Sequence, residues 1–190
     1  MWNWIKRLFK KTDEISPIKL WKIETLELTP NPKYQDKLWG YRPLKLIDKI
    51  IVHQELSEGD TLSVHNYHIS NNCHIKAGGC PKIAYHYTIE KDGTTYKVND
   101  LTDVTWHCFG KNLNSIGIML CGDFSGPTHV GKSKPTKEQL DSLEKLINYI
   151  RVRLNLNLPA YGHCDFGKEN CPGNDVMKYM KKIDENRGRK

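Results

Sequence analysis

No stretch of this chain is apolar for the roughly eighteen residues that a membrane-spanning helix needs, which excludes a helical membrane protein. The N-terminus "MWNWIKRLFKK" lacks the apolar core and small-residue cleavage site of a secretory signal. Synthesis in a reducing cytoplasm and mostly free thiols are therefore expected. There is no internal repeat and no low-complexity segment. There is also no zinc-finger spacing and no RNA-binding aromatic signature, so nucleic acid is not an expected partner. Acidic residues are absent from the first eleven positions, where Lys6, Arg7, Lys10 and Lys11 stand among Trp2, Ile5 and Phe9. That pattern suits a short basic amphipathic helix touching an anionic membrane, a frayed tail, or a helix docked on the domain by its tryptophans.

What is present suits one domain with an extension: 190 residues, 22.0 kDa and 38% hydrophobic residues. A net charge of +7 favours an anionic partner without choosing among them. "IKLWKIETLEL" alternates weakly, as an edge strand does, and "TPNPKYQDKLWGYRP" is a proline-rich loop. The compact domain is expected over residues 46–185, with 1–45 as an N-terminal extension. "LIDKIIVHQ" contains a buried strand that delivers His53 at its end. Asp60 is placed to cap a helix through "TLSVHNYHISNN". "IAYHYTIEKDGTTYKVND" forms a hairpin around "KDG", and "NSIGIMLCGDF" is a further strand. The clearest helix is "TKEQLDSLEKLINYIRVRLNL", with a Thr136–Gln139 capping box and an apolar face of Leu140, Leu143, Ile147, Ile150 and Leu154. A short strand in "LPAYGHC" and a last helix in "NDVMKYMKKI" complete an α/β chain: a central mixed sheet flanked by helices.

Among six cysteines, those in "YGHCDFGKENCPG" stand beside a histidine. They can pack, pair, or join His163 in binding a metal. Zinc takes imidazole nitrogen and thiolate sulfur, and a catalytic zinc keeps three protein ligands. His53 and His163 both end strands. Cys171 is the better thiolate, because Cys164 neighbours His163 and points to the opposite face of an extended backbone. Cys73 and Cys80 bracket a loop and are the pair to watch for a disulfide. With His65 and His68 they also form an unfamiliar candidate for a second metal site. His86, next to Tyr85 on a strand, suits a packed, hydrogen-bonded histidine. Cys121 suits the core, Cys108 suits a small apolar residue, and Trp106 suits either packing or sugar stacking.

"IIVHQ", "AYHYTIEKDGTTYKV", "NSIGIMLCGDF" and "GHCDFGKENCPG", in this order, resemble the zinc-dependent N-acetylmuramoyl-L-alanine amidases. This is the type-2 amidase family, related to peptidoglycan recognition proteins and to the short amidases of bacteriophages. The resemblance implies one Zn2+ held by His53, His163 and Cys171. It implies Tyr85 near the metal as a catalytic residue, and His107 and Asn114 along the substrate groove, where Trp106 is a further candidate for binding substrate. Two departures stand out. The position two residues before Cys171, often an oxyanion-stabilising lysine in phage members, is Glu169, and the lysine is Lys168; either Lys168 turns inward, or Glu169 serves as a base or stays solvated, or that catalytic role is absent. The glutamate that some members carry on the "SIGI" strand is missing. The implied function is hydrolysis of the amide between N-acetylmuramic acid and L-alanine in peptidoglycan by a monomeric phage endolysin. Such an enzyme is made in the host cytoplasm and acts on the cell wall. The alternative is a non-catalytic peptidoglycan-binding module, a class that commonly lacks the cysteine ligand. A nucleic-acid-binding protein would rest on charge alone.

Overall fold

The computed structural model describes residues 21–34, 39–125 and 133–187. The basic segment 1–11 lies outside them. Eight strands and three α-helices follow one another in the described chain: β1 (Ile23–Thr25), β2 (Gly40–Tyr41), β3 (Lys49–Gln54), α1 (Thr61–Ile69), β4 (Tyr87–Ile89), β5 (Thr95–Lys97), β6 (Asp103–Val104), β7 (Ser115–Leu120), α2 (Lys137–Leu154), β8 (Ala160–Gly162) and α3 (Asn174–Arg187). Six strands form one sheet in the order β1-β5-β4-β7-β3-β8, while β2 and β6 form a separate antiparallel pair. Within the large sheet only β4–β5 is antiparallel. This is the expected mixed sheet, and the antiparallel pair is the expected hairpin. Gly93 turns it at φ +81°, and a Cβ there would lie 2.8 Å from the Glu138 carbonyl oxygen at the start of α2.

The inner strands β3 and β7 are buried along their length apart from Lys49 at the start of β3, as parallel strands covered by helices must be. Their period-two alternation divides two environments. Ile50, Val52, Ile116, Ile118 and Leu120 pack with Leu143, Leu146, Ile147 and Ile150 of α2 and with Val176, Met180 and Ile183 of α3. Met119 and Cys121 pack instead with Val64 of α1, Ile83 and Val98. His53 pairs with Met119 across β3 and β7, so it projects on the α1 side. The sheet thus has two helices on one face, and one helix plus the candidate site on the other.

The helix signals act as expected. Asp60 accepts from the Ser63 N–H at 2.8 Å, and both bonds of the Thr136–Gln139 capping box are made. Of the expected apolar face of α2, Leu143, Ile147 and Ile150 are fully buried, with Leu146 added, while Leu140 and Leu154 pack at its edge. No described helix is long and apolar enough to cross a membrane.

The described residues before 46 contribute to the same body. β1 runs parallel to β5, and Trp21 packs against the main core. Arg42 is fully buried. Its Nε donates to the Leu101 carbonyl at 2.9 Å, and Nη1 donates to the carbonyls of Asn112 and Ser115 at 2.7 and 2.6 Å. Burial lowers its pKa to about 10, but three carbonyl dipoles hold the guanidinium in place of water. Replacing Arg42 with Met would orphan those carbonyls, a loss of roughly 3–5 kcal/mol. Urea unfolding of Arg42→Met should show a clearly lower midpoint with an unchanged slope; an unchanged midpoint would show that water replaces the cation freely.

Candidate metal centre

β3 and β8 run parallel, with Val52 opposite Gly162. The next residue of each strand is a histidine, so His53 and His163 leave adjacent strands at the same end, and their ring centroids lie 4.4 Å apart. The chain then turns through a short 3-10 helix, His163–Phe166. The Lys168 N–H bonds the His163 carbonyl, the Cys171 N–H bonds the Lys168 carbonyl, and the Cys164 N–H bonds the Cys171 carbonyl at 2.7 Å. These bonds fold the loop back and bring Cys171 to the histidines. The donor atoms of His53, His163 and Cys171 lie within 4.8 Å of one another, the one such cluster of three or more among the described residues. Cys164 is outside it, as expected from its place beside His163.

Two imidazoles and a thiolate are a zinc donor set. Tetrahedral bonds of about 2.0–2.3 Å put donors about 3.3–3.8 Å apart, so small adjustments would close the cluster on an ion. The residues present therefore fit the metal. Burial, with His107 and His163 adding, holds His53 well below the usual imidazole range. Burial lowers His163 to about 4, with the Lys168 ammonium contributing. Both rings are thus neutral ligands at pH 7. Burial raises the Cys171 thiol to about 12, and the Gln54 N–H points to its Sγ at 3.5 Å.

Gln54 went unnoticed in the sequence. Its Nε2 donates to the Asn170 carbonyl at 2.6 Å, and its Oε1 accepts from the Phe124 N–H. It thereby fastens the Cys171 loop to the end of β3. The only sequence signal was its place directly after His53.

A cavity of about 440 Å³ opens on the cluster, lined among others by His53, His163, Cys171, Tyr85, Trp106 and Lys168. Tyr85 lies 5.1 Å from the His53 ring, centroid to centroid. Burial raises its phenol, with the Cys171 thiol adding, so it holds its proton at neutral pH. Trp106 meets Trp39 edge-on at 5.3 Å and Tyr34 at 6.4 Å, so packing fixes the ring whose remaining surface lines the cavity. Lys168 lines the cavity, whereas Glu169 is exposed and outside it. His68, considered from sequence only for a second metal site, also lines it, as do Glu55 and His74, which were not singled out from sequence.

Other sequence-based candidates fall elsewhere. Asn114 stands at the opposite end of β7, donating to Asp48 Oδ2 at 2.9 Å, and is not part of the cavity lining. His107 lines the cavity but is only 5% exposed. Its Nδ1 is 3.0 Å from His53 Nε2, and its Nε2 is 3.1 Å from Ser115 Oγ. His86 is the packed histidine expected: fully buried, its Nδ1 accepts from the Gly117 N–H at 3.0 Å. His65 faces the Thr29 carbonyl, and His68 Nδ1 accepts from the Ala84 N–H, so these two do not gather with Cys73 and Cys80 on a second metal. Cys73 and Cys80 are buried free thiols with sulfurs 3.6 Å apart.

Comparison with known proteins agrees with this geometry. The family described as N-acetylmuramoyl-L-alanine amidase matches residues 42–174. An endolysin of Enterobacteria phage T3 is 30% identical over 109 residues, covering 56% of this chain and 70% of that protein. Peptidoglycan-recognition protein SC1a of Drosophila melanogaster is 29% identical over 119 residues, covering 63% of this chain and 59% of its own length. The endolysin and N-acetylmuramoyl-L-alanine amidase LysCS from Clostridium intestinale URNW shares the fold, with a TM-score of 0.66 at 22% identity over 86% of this chain and 95% of that one. Bumblebee PGRP-SA shares it too, with a TM-score of 0.65 at 20% identity over 85% and 94%. The family match begins at buried Arg42 and runs past Cys171, so it takes in five of the six strands of the large sheet and the whole donor cluster: the chain belongs to the N-acetylmuramoyl-L-alanine amidase family.

Proposed function

We propose that this protein is a zinc-dependent amidase that cleaves the bond between N-acetylmuramic acid and L-alanine in peptidoglycan, in the manner of a phage endolysin. One observation carries the catalytic reading. The three donors border an open cavity, and no fourth His, Cys, Asp or Glu joins them among the described residues. A structural zinc is closed by a fourth protein ligand, whereas a catalytic one keeps that position for water or substrate.

His53, His163 and Cys171 would hold the ion. When bound, zinc supplies Lewis acidity, which activates water and polarises an amide carbonyl. The chain supplies the rest. Tyr85 keeps its proton and donates a hydrogen bond to the carbonyl oxygen as charge develops there, or to the departing amine. The Lys168 ammonium, on the cavity wall, balances the negative charge of the tetrahedral state. Trp106 offers an apolar face to the glycan or stem peptide. The basic surface favours encounter with an anionic cell wall.

The direct test measures zinc content and release of amino groups from purified peptidoglycan. Stoichiometric zinc with hydrolysis, lost in His163→Ala and Cys171→Ala, is expected. Peptidoglycan binding without hydrolysis would mark a recognition module and sink the enzyme reading.

Lys168→Met should lower kcat by about 100-fold, the scale of one lost oxyanion partner. Glu169→Gln should stay within about twofold. The reverse order would move the role to Glu169.

Zinc uptake should release a proton. Between about pH 4, where His163 loses its proton, and about pH 12, where the free thiol would, the metal-free site holds neutral imidazoles and a protonated Cys171. Binding as thiolate expels that proton, so affinity should rise about tenfold per pH unit. Calorimetry at pH 7 in buffers of different ionisation enthalpy reads the number released; a value near zero would contradict thiolate ligation.

A further inference from the structure

We infer that His107 is a positioning residue for the metal ligand His53: it holds the ring by Nε2 and leaves Nδ1 as the nitrogen that binds zinc. This rests on the zinc reading of His53, His163 and Cys171. The hydrogen bonds leading to His53 have only one consistent direction. Ser115 Oγ lies 2.7 Å from the Lys111 carbonyl, which can only accept, so the hydroxyl proton goes there. The same oxygen lies 3.1 Å from His107 Nε2, which must then donate. A neutral imidazole carries one N–H, so His107 Nδ1 presents a lone pair. His53 Nε2, 3.0 Å away, donates to it, and the free lone pair of His53 is left on Nδ1. The direction is set by a main-chain carbonyl, which neither titrates nor turns.

The fold reserves space for this relay. A Cβ on Gly117 would lie 2.6 Å from His107 Cγ and 2.8 Å from its Nδ1, so no larger residue fits beneath the ring. His86 fixes the same glycine by accepting from its N–H at 3.0 Å, and its ring lies 5.8 Å from that of His107. Both nitrogens of His107 are engaged within the protein, which leaves none to bind substrate. Metal-binding histidines are commonly oriented through their second nitrogen by a carboxylate or carbonyl. Here a histidine and a serine pass the orientation on from the carbonyl of Lys111.

The test uses the full chain loaded with zinc chloride and competed against a chromophoric chelator. His107→Leu should weaken zinc binding by about 10- to 100-fold. His107→Asn, whose Oδ1 can accept in place of Nδ1, should recover most of that loss. A role in packing alone predicts the opposite order, since Leu fills the space better than Asn. Long-range proton–nitrogen spectra of the zinc-loaded wild type should show His53 protonated at Nε2 and metal-bound at Nδ1. Zinc bound through His53 Nε2, or zinc affinity of His107→Leu within twofold of wild type, overturns the inference. If His107→Leu does not fold, the wild-type spectra decide. A wild type that binds no zinc overturns the zinc reading as well, whereas zinc held by the other nitrogen overturns this inference alone.

Discussion

The parallel pairing of β3 with β8 is the interaction on which the site depends. It sets Val52 opposite Gly162, so two histidines distant in sequence leave neighbouring strands at one end. Ligands in open α/β sheets bind at the carboxyl ends of strands because there the chain leaves its ladder and side chains can converge. The partner strand β7 carries Gly117 and Met119 on the same face, one giving room and the other filling it. A one-residue slip of β8 would turn His163 to the other face of the sheet.

A line of buried polar groups leads from the start of β7 towards the site. Arg42, His86, Thr105, His107 and Ser115 are all buried, and each takes part in a hydrogen bond. A buried polar network holds a single geometry only when its members are satisfied. An apolar filling would cost less desolvation, but it would leave the His53 ring free to rotate. Arg42 bonds the carbonyls of Asn112 and Ser115 and so fixes the start of β7. Arg42 is thereby linked through Ser115 and His107 to His53.

Much of this was legible in the sequence where local rules suffice. The strand ending in His53, the "KDG" hairpin, the capped helix α2 and the choice of Cys171 over Cys164 follow from alternation, turn chemistry and neighbour geometry. The four ordered motifs supplied the pairing of distant parts. Roles set by three-dimensional register were not legible. Asn114 and His107 sit near the same motif, yet one faces Asp48 at the far end of β7 and the other reaches back along the strand to His53. Gln54 has no motif of its own, and its hold on Asn170 exists only once the loop has closed. Lys168 and Glu169 differ by one position, and only the folded loop shows that the lysine lines the cavity.

The relatives include both endolysins and recognition proteins on one fold, so the fold by itself does not separate hydrolysis from binding. The difference must lie in the donor set and what surrounds it. His53 comes from a rigid central strand and would be held in either kind of protein. Cys171 comes from a loop whose closure needs the bonds to His163, Lys168 and Gln54. Burial makes its free thiol a poor acid, so the thiolate form needs a positive partner at neutral pH. In this chain the loop is closed, the thiol is buried and the Gln54 N–H is directed at its sulfur, so the third donor is held in place beside the two histidines.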